Sequence, residues 1–179
     1  SRKSHLKDVL RLAEQMLTDG ADVIDIGGMS SRPGATIVSA EEEYQRVIPP
    51  ILELAKAFPE TILSIDTIHA SIAKAAVNAG ASIINDISAG RIDAEMYDMV
   101  ASLGVPYVLM HMRGKPENMQ KDLYYEHLMQ NILDFFITEV HILRQKGVKD
   151  IIVDPGFGFG KPVEQNYQLL KGLSLLQIL

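Results

Sequence analysis

The chain has 179 residues, of which 47% are hydrophobic, and a formal net charge of −6. That length fits a single domain over 1–179 with a substantial core, and the composition argues against disorder. The acidic balance argues against a general affinity for nucleic acid, and no apolar run approaches the roughly 18 residues a membrane span needs. There is no Cys, which removes disulfide frameworks and thiolate metal sites and fits a reducing compartment.

The basic start, Ser1-Arg2-Lys3-Ser4-His5, leads into an amphipathic stretch and not into an apolar one, so it does not read as a secretory signal. The cytoplasm is the expected location. Over 6–17, Leu6, Val9, Leu10, Ala13, Met16 and Leu17 share one helical face. Gly20-Ala21 then precedes the apolar run 23–26, too short for a core helix and rich in β-branched residues, hence a strand. Ser39, with Glu42 three residues later, is a capping box that opens a helix over 39–58. A strand over 62–65, a helix over 70–78 and Gly80-Ala81 follow. A strand over 82–84, a helix over 93–102 and Gly104-Val105 come next. The chain continues with a strand over 107–110, a long helix over 125–146, Gly147-Val148, a strand over 151–153 and a helix beginning near Val163. Gly suits the left-handed position just after a helix.

Strict alternation of helix and strand predicts an α/β protein with a parallel sheet, either a (β/α)8 barrel or a doubly wound sheet. A barrel has eight strands and typically about 250 residues. Five strands, in a chain that opens with a helix and stops at Leu179, lead us to expect an incomplete barrel. At least one strand would precede Ser1 and two or so would follow Leu179.

In either architecture ligands bind at the carboxyl ends of the strands. The first strand is followed by Gly27-Gly28-Met29-Ser30-Ser31-Arg32-Pro33-Gly34-Ala35, and the second by Asp66-Thr67. Asn85-Asp86 follows the third, Met110-His111-Met112-Arg113-Gly114 the fourth, and Asp154 with its Gly/Phe loop the fifth. Asp154 can accept paired N–H bonds from an amidine-like edge, although capping the next turn is its alternative role. Gly156, Gly158 and Gly160 alternate with Phe157 and Phe159, giving a backbone that can approach a ligand and rings that can cover it. Asn85 offers both donor and acceptor. Together Asp66, Asn85 and Asp154 make a polar floor suited to a small heterocycle, while Arg32 suits an anion. His111, between two Met, reads as a packed structural residue. His5, His69, His127 and His141 lie in or beside helices and read as solvated. Met96, Met99, Met119 and Met129 read as core filler. No zinc-ligand spacing and no phosphate-loop fingerprint is present.

These blocks resemble dihydropteroate synthase: Ile24 through Ala35, Ser64 through Thr67, Ile83 through Ile87, Leu109 through Gly114, and Asp154 through Lys161, in the family's order. The resemblance implies a (β/α)8 TIM barrel, here lacking the first strand and the last strands. The implied enzyme is a transferase of folate biosynthesis. It joins p-aminobenzoate to 6-hydroxymethyl-7,8-dihydropterin diphosphate and releases diphosphate. By resemblance, Asp66, Asn85 and Asp154 hold the pterin, with Ile87 and Met110 against its face. Ser31, Arg32, Pro33 and Phe159 contact p-aminobenzoate or order its pocket, with Arg32 near the diphosphate, and Gly158 is a further substrate-binding residue. The resemblance further implies Mg²⁺, held with the help of an Asn on a strand before Ser1, a homodimer and an enzyme of the class targeted by sulfonamides. Ser31 stands where the family usually has Thr, and Met29 where an acidic residue is frequent. The family's late Ser-Arg-Lys-Ser and Arg-x-His motifs are expected beyond Leu179. Ser1-Arg2-Lys3-Ser4 matches the former only by coincidence, and the 179-residue piece alone is expected to be inactive. Two other readings share the pterin contacts: a methyltetrahydrofolate–corrinoid methyltransferase, which lacks the Ser-Arg-Pro-Gly-Ala loop and the Gly-Phe-Gly-Phe-Gly run, and a non-catalytic pterin-binding protein.

Overall fold

The structure, a computed structural model, describes residues 2–30, 36–112 and 124–179. Helix α1 (Arg2–Thr18) leads into β1 (Val23–Gly27), α2 (Ala40–Ala57), β2 (Ile62–Asp66), α3 (Ala70–Ala79) and β3 (Ile83–Asp86). Then come α4 (Met96–Leu103), β4 (Tyr107–Met110), α5 (Leu128–Gln145), β5 (Ile151–Asp154), α6 (Val163–Lys171) and a short 3-10 helix, Leu173–Ile178. The strands form one parallel sheet in the order β1-β2-β3-β4-β5. Unbroken sequential order is that of a (β/α) barrel; a doubly wound sheet reverses direction at a switch point.

Side chains alternate between the two faces of each strand. One face carries Ile24, Leu63, Ile65, Ile84, Tyr107 and Leu109, all buried. They pack against the helix layer through Val47, Ile51 and Leu54 of α2, Ala73 and Ala76 of α3, Val100 of α4, and Ile132, Phe136 and Leu143 of α5. Each Leu, Ile or Phe buried there stabilises the fold by about 1.5–3 kcal/mol. The opposite, concave face carries Val23, Ile62 and Ile152, which remain 40%, 44% and 48% exposed at the amino-terminal side of the strands. At the carboxyl side of that face stand Asp25, Asp66, Asn85 and Asp154.

Several boundaries differ from the sequence expectation, and those near the strand ends have local reasons. The strands run further than their apolar residues, because Gly27, Asp66, Asn85 and Asp154 still pair with their neighbours. Helix α4 begins after Asp93 because that carboxylate is used elsewhere. Its Oδ2 accepts from the Ala70 N–H at the start of α3 (2.8 Å), and its Oδ1 from the Glu95 N–H (3.0 Å). Helix α5 begins at Leu128, not at Tyr125, whose backbone N–H and carbonyl are both taken by the Gln165 amide of α6. The expected cap of α2 is present: the Glu42 N–H donates to Ser39 Oγ at 3.2 Å.

Candidate functional site

The polar floor begins in the register of the sheet. Gly27 pairs with Asp66, and Asp66 with Asn85, so these positions lie side by side at roughly one strand spacing, about 4.8 Å. A Cβ on Gly27 would stand 3.3 Å from Asp66 Oδ2, so the missing side chain leaves room for that carboxyl. Asn85 Nδ2 donates to Asp25 Oδ2 at 3.3 Å. The Asp66 carboxyl is pushed up to about 7, first by burial and then by the negative charges of Asp25, Glu43 and Asp86. It therefore changes charge near neutrality, which an ordinary carboxylate does not.

Asp86, which the strand-end reading grouped with these residues, belongs to the other face. It is fully buried. Its oxygens accept from the Ser88 N–H (2.7 Å), the Gly90 N–H (2.8 Å) and the Tyr107 hydroxyl (2.8 Å). Period-two alternation sends Asn85 to the mouth and Asp86 into the helix layer.

Asp154 pairs with Met110 at the ends of β5 and β4. Its Oδ1 accepts from the Gly156 N–H at 2.8 Å, so the turn-capping role weighed for it is realised at one oxygen. A carboxylate has about four acceptor positions, which leaves capacity for a ligand. Beside it, Ile68, Ile87, Met110 and Met112 form a buried apolar cluster separate from the main core, and Met29, Ile37, Ile92 and Phe159 pack against it. Ile87, Met110 and Phe159 are thus brought together in one apolar cluster, which Met110 joins to the polar floor by pairing with Asp154.

The loop after β5 turns sharply. Gly156 has φ +67°, and a Cβ there would fall 2.2 Å from the His111 carbonyl oxygen, so only Gly allows the loop to lie on the end of β4. The Phe159 N–H donates to the Gly156 carbonyl at 3.1 Å, and the Gly158 N–H to Asn166 Oδ1 of α6 at 2.8 Å. Phe157 is 41% exposed, whereas Phe159 is half-buried. Beneath the loop lies Lys161, buried, with its pKa lowered to about 8 by burial against the opposing pull of Asp154. His111 is packed edge-on against Phe135, ring centres 5.0 Å apart, as a structural residue should be. Burial, then the cationic Lys161 and Arg91, lower its pKa to about 3, so it is neutral and unsuited to proton transfer at pH 7.

Three residues of this region carried no role in the sequence reading. Asp25 had a signal, an acid inside an apolar strand run. Glu43 had one too: it occupies the apolar stripe of α2, four residues before Val47. It is buried, accepts from Thr67 Oγ1 at 2.9 Å, and its carboxyl is raised by burial. It supports Gly28, where a Cβ would meet the Glu43 Cγ at 2.8 Å. Lys161 had no signal beyond its place after Gly160. One expectation is corrected: His69 is not solvated but half-buried, with Nε2 3.1 Å from the Val38 carbonyl and 4.0 Å from Glu43. Ser31, Arg32 and Pro33, together with Met119, lie outside the described residues. Among the described residues no three His, Cys, Asp or Glu side chains converge as a metal site.

Residues 1–179 match the family described as pterin binding enzyme. The dihydropteroate synthase of Synechocystis is 42% identical over 174 residues, which covers 96% of this chain and 60% of that protein. The solved dihydropteroate synthase of Yersinia pestis, in complex with a sulfonamide drug, superposes with a TM-score of 0.92 at 43% identity, covering 96% of this chain and 62% of that one. The Xanthomonas albilineans dihydropteroate synthase with 4-aminobenzoic acid gives a TM-score of 0.88 at 39% identity, covering 96% and 60%. The chain thus spans about three fifths of the length of each of these relatives.

Proposed function

The chain belongs to the pterin binding enzyme family, and on that premise we propose that the complete protein is a dihydropteroate synthase. It joins p-aminobenzoate to 6-hydroxymethyl-7,8-dihydropterin diphosphate. The observation that carries this reading is the pairing of an in-register polar row with an apolar wall. Asp66 and Asn85 adjoin on β2 and β3, and Asp154 stands at the end of β5. Ile87 and Met110 share a cluster with Phe159 beside them. Such a slot matches a flat heterocycle with donors and acceptors along its edge. The Asp154 carboxylate fits the paired 2-amino and N3–H donors of a pterin. Ile87 and Met110 lie against the ring. Phe159 and Gly158 border the second substrate, with Ser31, Arg32 and Pro33 completing that pocket and Arg32 near the diphosphate. A relative solved with 4-aminobenzoic acid supports this choice of second substrate. One solved with a sulfonamide drug supports treating the complete protein as a sulfonamide target.

In the reaction the amine nitrogen forms a bond to the pterin methylene, and the methylene–oxygen bond breaks. Diphosphate leaves with the electron pair, and the amine then gives up a proton to solvent. An aromatic amine is already neutral at pH 7, so the residues hold and align more than they transfer protons. A neutral, packed His111 agrees with that. We take Mg²⁺ on the diphosphate, a homodimer and the cytoplasm as parts of the same reading. No helix among the described residues is long and apolar enough to cross a membrane.

The test uses the complete protein with both substrates. Formation of dihydropteroate with release of diphosphate is expected. Pterin binding without that product would overturn the reading in favour of a non-catalytic binder, and methyl transfer from methyltetrahydrofolate would favour the methyltransferase.

A further inference from the structure

Lys161 is a long cationic side chain that is only 5% exposed, at a position where burial of a charge is costly unless all its donors are used. They are used. Its Nζ donates to the Gly156 carbonyl at 2.8 Å, the Phe159 carbonyl at 3.1 Å and the His111 carbonyl at 3.2 Å. An ammonium has three N–H donors, and here three backbone oxygens receive them. Two belong to the loop that covers the mouth, and the third ends β4. The same His111 oxygen is the one a Cβ at Gly156 would strike, so the loop and the strand end are in contact at the point where the ammonium joins them. Lys161's own carbonyl is held in turn by Asn166 Nδ2 of α6 at 3.0 Å.

We propose that Lys161 is a positioning residue for the aromatic amine substrate: its ammonium fixes the Gly156–Phe159 turn to the end of β4 and so holds the Phe159 ring where the second substrate must sit. This rests on the synthase reading of the site. The pterin floor depends on it less, because the backbones of Asp66, Asn85 and Asp154 are placed by strand pairing and only Asp154 touches the loop, through the Gly156 N–H. The cover depends on it directly, because within the turn the Gly156 carbonyl receives only the Phe159 N–H besides Lys161 among the bonds described. Two titratable groups face the ammonium. Asp154 of β5 favours its charge, and His111 of β4 is an imidazole kept neutral with a pKa near 3. With its own pKa lowered to about 8, Lys161 becomes a neutral amine at mildly alkaline pH. A neutral amine has two N–H donors for three carbonyls, so the tether loosens.

The experiment compares the complete wild-type protein with Lys161→Met and Lys161→Arg, measuring pterin affinity by calorimetry and KM for p-aminobenzoate by turnover. In both variants KM for p-aminobenzoate is expected to rise by about tenfold or more while pterin affinity changes by less than about threefold. Arg does not rescue, because its planar fork cannot direct donors to three converging oxygens. An unchanged KM in Lys161→Met with pterin binding intact overturns the proposal, and so does an equal loss of both. If Lys161→Met fails to fold, the wild-type pH profile decides. KM for p-aminobenzoate should climb as pH rises through about 8 while pterin affinity does not fall; a flat KM overturns the proposal. Absence of any dihydropteroate from the wild-type protein would instead overturn the synthase reading, so the two failures are distinct.

Discussion

Asn85 and Asp86 are consecutive residues of β3, yet they belong to different parts of the molecule. Asp86 has its carboxylate surrounded by two backbone N–H groups and the Tyr107 hydroxyl, and it is fully buried in the helix layer. Asn85 faces the mouth and makes one long contact, 3.3 Å, to Asp25. A polar group whose partners come from its own fold is structural. A polar group at a strand end with spare hydrogen-bonding capacity is available to a ligand. Asp66, whose charge state is balanced near neutrality, falls on the same side of that division as Asn85.

The strongest way to break this comparison is Asp86→Ala. It leaves the Ser88 and Gly90 N–H groups and the Tyr107 hydroxyl without their acceptor. The expected loss is about 3–5 kcal/mol of folding stability in urea denaturation of the complete protein. Pterin affinity of the fraction that remains folded should be nearly normal. A stable variant with weakened pterin binding would place Asp86 on the wrong side of the division.

Next in size is Asp154→Asn. The amide oxygen can still accept from the Gly156 N–H, so the turn survives, but the ligand loses an ionised acceptor. Pterin affinity should fall by at least about tenfold, with little change in melting temperature. Unchanged affinity in calorimetry would remove Asp154 from the binding role and leave it as a cap.

How much of this could be read from the sequence follows the same line. The strands, their parallel order and the position of Asp66, Asn85 and Asp154 at strand ends were legible, because short β-branched runs ending in polar residues repeat after helices. Asn85 and Asp86 were not separable by composition, since both are polar and adjacent; only the pleat decides which one faces the mouth. Asp25 was legible in principle as an acid within an apolar run. Lys161 was not, because its partners are carbonyls at 111, 156 and 159, and a carbonyl leaves no mark in a sequence. His69 was misread for a related reason: its nearest partner is the Val38 backbone oxygen.

The effect that depends on pH sharpens the division instead of testing its existence. Asp66 has a folded-state pKa of about 7 against an ordinary value of 3.8. Between those values the folded protein binds more protons than the unfolded chain, so this residue makes stability fall as pH rises from about 4 to about 7. Above that the destabilisation is complete. Asp66→Asn should therefore be more stable than the parent at pH 8, by about 2–4 kcal/mol, with the difference vanishing near pH 4. Pterin binding should respond in the opposite sense. Donors on the ligand need the ionised carboxylate, so parental affinity should drop as pH falls below about 7, while the Asn variant binds weakly with no such slope. Parallel melting curves at pH 4 and 8 for parent and variant would mean that the Asp66 carboxyl keeps its ordinary pKa and is not balanced near neutrality for a ligand.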